Sequence, residues 1–491
     1  MNIVDAIKIF SSTRPDHPAL IQEKRIVNFS ELFNLILAAA SLIKSYGINK
    51  GDIVGICLSD RIEHVVSLYA VSLCGASVLP MDVRWVEEER KKITNFFKPK
   101  LVLHEPDQED GILSKTLSVD ENWLNGFIDN CFLLNEFPET NKDDSFLLSL
   151  STGTTGVPNG PMLSHKQMES RFITQQKSLT FNSEDIYLSA TPIYFGAGRG
   201  FVMGMLYNGA TVVLLANPYT ANDFVKAVKE FGITATLLVP TILRRLLSLP
   251  YNKNFLLPSL RILLSTGSIL HAEERLDVMK KLSPYLLNYY GSTEGGGVSV
   301  LKWDDPIEKS GSVGKPVFGT NLEIVNQNNS VLSDGSIGKI RYSGASVADS
   351  FFKNNDTKDA VFDSGWFYPG DLGKFDSDGY LYLVGRVKDI IIRGGVNIYP
   401  IEIEEVILSH SDVSDVAVVP WPSNLRGEEI AAFVIKKTTS ELNSNMLLEF
   451  CGDKLSSYKI PREIFFVKDL PKNSVGKVKK SLLIEQLPKI D

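Results

Sequence analysis

The sequence predicts an α/β protein built on parallel sheets, with a β-rich subdomain and a small α+β unit toward the C-terminal end. Three observations carry that expectation. Strand and helix patterns alternate over 29–80 and again over 223–265, the order that produces parallel sheets covered by helices. Residues 310–390 change to short strands separated by Gly/Asp turns. From IEIEEVILSH (401–410) the alternation returns on a smaller scale and ends near Leu487.

In the first block, FSELFNLILAAASLIKSYG has apolar residues at helical spacing, with Ser30 a candidate N-cap and Gly47 at the end. GDIVGICLS then reads as a strand, RIEHVVSLYAVSLCG as a helix and ASVLPMD as a strand. In the second block, NDFVKAVKEFG and TILRRLLSL are helical, while ATLLVP and LRILLST are strands. Turn signals follow at Ser333-Asp334-Gly335, at Asp376-Ser377-Asp378-Gly379 and at Gly394-Gly395. There is no internal repeat and no low-complexity stretch.

At 491 residues the chain is too long for one core and calls for several domains. Its net charge of −7 argues against a nucleic-acid or membrane-surface binder, which would be basic. Cys57, Cys74, Cys131 and Cys451 show no metal-ligand spacing, which fits free thiols in a reducing compartment. The N-terminal MNIVDAIKIF carries Asp5 and does not read as a signal peptide. Val65–Met81 and Gly200–Asn222 lack charge, but Gly, Pro, Asn and Ser interrupt them. Each is expected to be a buried helix turning into a buried strand, in a soluble, cytoplasmic protein with no membrane span.

Four stretches carry chemistry. From Ser149 to Ser164 there is no charged side chain before a possible helix start, only hydroxyls, glycines and one amide around Thr152-Gly153-Thr154-Thr155-Gly156. Bare backbone N–H groups beside hydroxyls suit phosphate oxygens, though a surface loop reads equally well. LLNYYGSTEGGG (286–297) offers an aromatic face at Tyr290, a donor at Thr293 and a hard oxygen ligand at Glu294. Asp371, at a strand start, can accept from ribose hydroxyls, and Arg386 lies across a hairpin at Asp378-Gly379. Taken alone, that pair reads as a salt bridge. Lys477, in LPKNSVGKVKKSLL, reads alone as part of a solvated terminus.

In order and spacing these stretches, with GSVGKPVFG (311–319) and Arg261–Leu270, resemble the adenylate-forming superfamily: acyl- and aryl-coenzyme A synthetases, firefly luciferase and peptide-synthetase adenylation domains. The likeness runs from Phe29 to Lys477 and is strongest to the AMP-forming acyl- or aryl-CoA ligases. It implies an adenylation domain over 1–387 and a mobile C-terminal domain over 388–491. ATP and Mg²⁺ would be required, and a small carboxylic acid would be joined to coenzyme A or to the pantetheine of a separate carrier protein. By that resemblance Thr152–Gly156 would hold the β- and γ-phosphates. Gly267, Ser268 and Tyr290 would form the adenine slot, with Gly291 and Ser292 bordering the nucleotide. Thr293 would contact the α-phosphate, Glu294 the Mg²⁺, and Asp371 and Arg386 the ribose. Lys477 would bridge the carboxylate and α-phosphate as pyrophosphate leaves. Lys388 matches the hinge, and Gly394-Gly395 would line a thiol tunnel after rotation.

The sequence departs from that pattern at Asn159, where most relatives carry lysine, at Ser265-Thr266-Gly267-Ser268-Ile269, and at Phe195, where many coenzyme A ligases have histidine. TPIYFGAGRGFVMGM has no acidic residue, so an amino-acid substrate is not expected. Tyr194, Phe195, Gly196, Ala197 and Gly198, with Asn288 and Tyr289, are the expected walls of a pocket for an apolar tail or a ring. Fatty and aryl acids remain open, as do a homodimer, a luciferase-like oxygenase and a degenerate nucleotide-binding relative.

Overall fold

The computed structural model describes residues 2–120, 122–124, 137–150, 160–250, 253–353, 361–423, 426–437, 440–472 and 477–490. Two sheets with parallel centres form the large N-terminal part. In the first, Leu286–Ser292, Ile262–Ser265, Ala235–Leu238, Ile186–Ser189, Thr211–Leu214 and Pro18–Gln22 run parallel in that spatial order. Antiparallel edges flank them at Gly296–Leu301 and Arg25–Asn28. The second sheet orders Lys115–Ser118, Leu101–His104, Ile53–Cys57, Ser77–Pro80, Ser145–Leu148 and Met162–Ser164. Its strands are parallel up to the last pair.

Between the sheets lies one continuous apolar core that includes Leu20, Leu32, Val66, Tyr69, Phe146, Phe172, Tyr187 and Val202. The helix Ile62–Leu73 is buried around its whole circumference, which is why its sequence lacks a polar face. Each of its buried Val and Leu side chains contributes about 1.5–3 kcal/mol. The uncharged stretches resolve as expected: helix Ile62–Leu73 precedes strand Ser77–Pro80, and helix Gly196–Tyr207 precedes strand Thr211–Leu214. No described helix is long and apolar enough to cross a membrane. Cys57, Cys74 and Cys451 are buried and free; Cys131 lies outside the described residues.

One helix boundary differs from the sequence expectation. The helix Phe29–Ser45 is capped by Asn28, whose side chain accepts from the Glu31 N–H, and Ser30 lies inside the first turn. Asn28 also ends the strand Arg25–Asn28, so a single residue serves both elements.

The β subdomain pairs Thr320–Val325, Gly338–Gly344, Asp371–Phe375 and Leu381–Arg386 antiparallel, closing on Ile324, Ile340, Tyr342 and Phe367. Beyond Arg386 a further sheet forms from Val396–Ile398, Ile391–Arg393, Gly427–Lys436, Val413–Ser423 and Glu463–Phe466. It has its own cores, around Ile403, Val418 and Leu447 on one face and Val419, Trp421 and Leu483 on the other. A Cβ placed on Gly314, in the GSVGKPVFG stretch, would meet the Val300 carbonyl oxygen at 1.9 Å, and its φ is +82°. Gly319 has φ +78° but open space around it. Gly319→Ala is therefore expected to cost only the left-handed penalty of about 1–2 kcal/mol. Gly314→Ala should lower the thermal midpoint several times further, because backbone rather than a movable side chain blocks the new methyl.

Candidate active site

The parallel strands place several motif residues at their carboxyl ends, where ligand crevices open in such sheets. Strand Leu286–Ser292 delivers Tyr290 there, and the neighbouring strand Ile262–Ser265 leads into Thr266, Gly267 and Ser268. Gly267 needs its φ of +94°, which an L side chain rarely adopts. The Thr266 hydroxyl donates to the Tyr289 carbonyl at 2.6 Å and ties the two strand ends together.

Period-two alternation then sorts the tyrosines. Leu287 and Tyr289 face the core between the sheets, where Tyr289 meets Phe201 edge-on at 5.9 Å. Asn288 and Tyr290 share the opposite face. There the Tyr290 hydroxyl donates to Asp371 Oδ2 at 2.6 Å. Asp371 and Arg386 are direct cross-strand partners, and Arg386 Nε donates to Asp371 Oδ1 at 2.9 Å. Burial and the Asp371 carboxylate hold the Tyr290 phenol well above its ordinary pKa, so it remains a donor.

Thr293 and Glu294 occupy the turn between Leu286–Ser292 and Gly296–Leu301. Ser292 Oγ accepts from the Gly295 N–H at 2.9 Å and pairs with the Tyr342 hydroxyl at 2.7 Å. The glycines after Glu294 have a steric cause. A Cβ on Gly295 would fall 2.2 Å from the Tyr342 ring, and one on Gly297 would fall 1.7 Å from the Tyr289 hydroxyl. Both tyrosines thus occupy volume that any side chain would need.

Lys477 is brought to this place from the far end of the sequence. It keeps an exposed flank, yet the surrounding protein lowers its pKa below the usual lysine value. The Arg386 guanidinium adds to that shift, Asp371 and Glu294 oppose it, and Lys388 reinforces it more weakly. The same docking brings Asp415 near Arg244, and Glu404 and Asp415 near His271. Lys388 lies in the turn Val387–Asp389, and the Val387 N–H donates to the Gly370 carbonyl at 2.9 Å. Gly394 and Gly395 sit apart at a hairpin tip with φ +58° and +82° and open space at both.

Around Tyr194 and Phe195 the structure adds residues the sequence did not single out. The two rings meet edge-on at 4.8 Å, and the Arg84 guanidinium lies 5.4 Å from each centroid. Asp82 holds Arg84 through two bonds of 2.9 and 2.7 Å. Buried Asp60 accepts from the Ile193 N–H and from Asn217 Nδ2, both at 2.6 Å. Gly196 has open space beside it, with Ser149 Oγ at 3.7 Å, whereas a Cβ on Gly198 would strike the Pro192 and Thr191 carbonyls at 2.2 and 2.4 Å. Gly198 is therefore a glycine that close backbone packing requires. Thr152, Gly153, Thr154, Thr155, Gly156 and Asn159 lie outside the described residues.

One carboxylate, Glu294, in a turn with the Thr293 hydroxyl is a donor set for a cation held mainly by substrate phosphates. Among the described residues no cluster of three His, Cys, Asp or Glu could cage a metal. Magnesium suits the former arrangement, because it keeps several non-protein oxygens.

The AMP-binding enzyme family model matches residues 8–352, and the AMP-binding enzyme C-terminal domain matches residues 402–477. The chain belongs to this family of adenylate-forming enzymes. It is an AMP-forming acid–coenzyme A ligase, using ATP and magnesium. Across 472 residues it is 30% identical to 2-succinylbenzoate–CoA ligase of Bacillus licheniformis, covering 94% of this chain and 96% of the relative. ATP-bound MatB from Rhodopseudomonas palustris superposes with a TM-score of 0.92 at 26% identity, covering 99% of both chains. O-succinylbenzoate coenzyme A synthetase (MenE) from Bacillus subtilis, in complex with ATP and magnesium ion, gives 0.88 at 26% identity, covering 97% of this chain and 98% of that one.

Because Asp371 favours the charged form of Lys477, Asp371→Asn should lower the lysine pKa further. A step that needs the ammonium is lost as pH rises through that pKa. The alkaline limb of ATP–pyrophosphate exchange should therefore move to lower pH in Asp371→Asn, and a limb at the wild-type position would contradict the electrostatic pairing.

Proposed function

We propose that the chain activates an aryl carboxylic acid and passes it to coenzyme A, with the large domain (1–387) binding ATP and acid and the small domain (388–491) supplying Lys477. The observation that carries this reading is the grouping of Lys477 with Asp371, Glu294 and Arg386, residues far apart in the sequence. An ammonium within electrostatic reach of two carboxylates and a guanidinium is suited to a polyanionic substrate whose charge changes during reaction.

In this reading the adenine lies against Tyr290 and Gly267–Ser268, and the ribose hydroxyls compete with Tyr290 for Asp371. Asn288 shares the Tyr290 face, so it meets the nucleotide side, while Tyr289 packs in the core behind the strand. Thr293 donates toward the α-phosphate, Glu294 would hold the magnesium ion, and the phosphates extend toward Thr152–Gly156. Magnesium would neutralise phosphate charge. The acid's own carboxylate attacks the α-phosphorus, pyrophosphate leaves, and Lys477 holds its proton throughout as a fixed positive charge. Rotation about Lys388 then withdraws Lys477 and carries Gly394-Gly395 toward the acyl-adenylate, where the thiol attacks the acyl carbon and AMP leaves.

An aryl acid is favoured by the half-buried aromatic pair Tyr194 and Phe195, whose rings meet edge-on. The succinylbenzoate ligases among the relatives point the same way. The buried free thiols fit a cytoplasmic location. ATP–pyrophosphate exchange against a panel of aryl and fatty acids, followed by thioester assays with coenzyme A and with a holo carrier protein, tests the assignment. Exchange with fatty acids alone, or transfer to the carrier protein alone, would overturn it.

Lys477→Ala should slow adenylation by a few hundredfold, about 3–4 kcal/mol, and still transfer acyl from a supplied acyl-adenylate. Lys388→Pro should do the reverse by restricting φ at the hinge. Equal loss of both half-reactions in both variants would contradict domain alternation.

A further inference from the structure

The turn bearing Thr293 and Glu294 is held from below by a residue that no motif contains. Arg171 lies on the helix His165–Leu179, and its three guanidinium nitrogens each donate to a main-chain carbonyl. Nε reaches Ser346 O at 2.9 Å, Nη1 reaches Thr293 O at 3.1 Å, and Nη2 reaches Glu294 O at 2.7 Å. Gln167, one turn earlier on the same face, donates through Nε2 to Val347 O at 2.9 Å. The Ala348 N–H donates to Glu294 O at 2.8 Å, and Ser346 Oγ donates to Gly295 O at 3.2 Å. Gly296 completes the fit, since a Cβ there would press on the Arg171 side chain at 3.2 Å.

We infer that Arg171 is a positioning residue for the adenylation half-reaction, gripping the backbone of Thr293 and Glu294 so that both side chains are aimed before ATP binds. A planar fork suits this task. It spans two consecutive carbonyls while its third nitrogen reaches a separate segment, and a lysine ammonium cannot cover all three at once. Among the described residues, carbonyl oxygens and no carboxylate receive its hydrogen bonds, so the guanidinium acts on the main chain. The consequence falls on the first half-reaction, in which Thr293 and Glu294 face the triphosphate and its cation. Thiol attack on the finished acyl-adenylate needs neither the cation nor departure of pyrophosphate. The inference rests on the roles proposed above for Thr293 and Glu294.

Arg171→Met and Arg171→Lys, assayed for pyrophosphate exchange and separately for thioester formation from pre-made acyl-adenylate, provide the test. Misaiming reacting groups is costly, so exchange in Arg171→Met should fall on the order of thirtyfold while thioester formation stays within about threefold. Arg171→Lys, which keeps one donor contact at a time, should recover part of the exchange at a similar thermal midpoint. Equal losses in the two half-reactions, or a lysine variant no better than methionine, would overturn the positioning role. If Arg171→Met does not fold, the lysine variant decides: a loss confined to exchange supports the clamp, and equal losses refute it. Glu294→Gln is run alongside. An unchanged magnesium half-saturation in that variant would remove the metal role of Glu294, while the clamp is still judged on the split between half-reactions.

Discussion

The Asp371 carboxylate is the junction on which the rest of the site depends. One oxygen accepts from Tyr290, at the end of a parallel strand of the large sheet. The other accepts from Arg386, the last residue of the β subdomain's hairpin and the one before the turn into the small domain. Its charge also favours the protonated form of Lys477. Hydrogen bonds to a charged group are each worth about 1.5–3 kcal/mol. Their larger effect here is geometric, because the large sheet and the β subdomain meet at one side chain, with Lys477 of the C-terminal part within its electrostatic reach. Arg386 repels Lys477 while Asp371 attracts it, so the docked small domain sits in a balance of opposed charges. Such a balance is set to change when a polyanion binds or leaves, as the proposed domain alternation requires.

Steric exclusion does as much as charge. The run Gly295-Gly296-Gly297 follows Glu294 in the sequence. In the structure each position is filled by a neighbour: the Tyr342 ring, the Arg171 side chain and the Tyr289 hydroxyl. The glycines let two tyrosines and an arginine close against the backbone of the turn that bears Thr293 and Glu294. Rigidity at this turn therefore comes from packing against residues distant in the chain.

Much of the fold was legible because it rests on local periodicity. The alternation over 29–80 and 223–265 appears as parallel strands and covering helices, and the change over 310–390 as antiparallel β structure. The hairpin at Asp378-Gly379 could be read from its turn residues, and with it the facing of Asp371 and Arg386. What misled was local as well. Ser30 has the chemistry of a cap, but Asn28 precedes it, and the first residue able to accept from the helix N–H groups takes the position. Gly198 reads like its neighbour Gly196 in an uncharged stretch, and only the path of Thr191 and Pro192 separates a packing glycine from an open one. Asn288 and Tyr289 are adjacent in sequence, yet the pleat sends them to opposite faces.

The sequence by itself determined the kinds of element, their order and the chemical inventory: a run of hydroxyls and glycines, the acid–arginine hairpin, and a lysine near the C-terminal end. Those features follow from spacing over a few residues, where backbone geometry alone dictates which side chains share a face. Tertiary structure decided which of them meet. Arg84 over Tyr194 and Phe195, Asp60 on the Ile193 N–H, Arg171 beneath Glu294, and Lys477 within electrostatic reach of Asp371 join segments more than a hundred residues apart. No local pattern encodes such pairings, because an arginine reaching distant carbonyls and a solvated arginine look alike in sequence. Only the stacking of sheets and the docking of the small domain bring their partners within hydrogen-bonding or electrostatic reach.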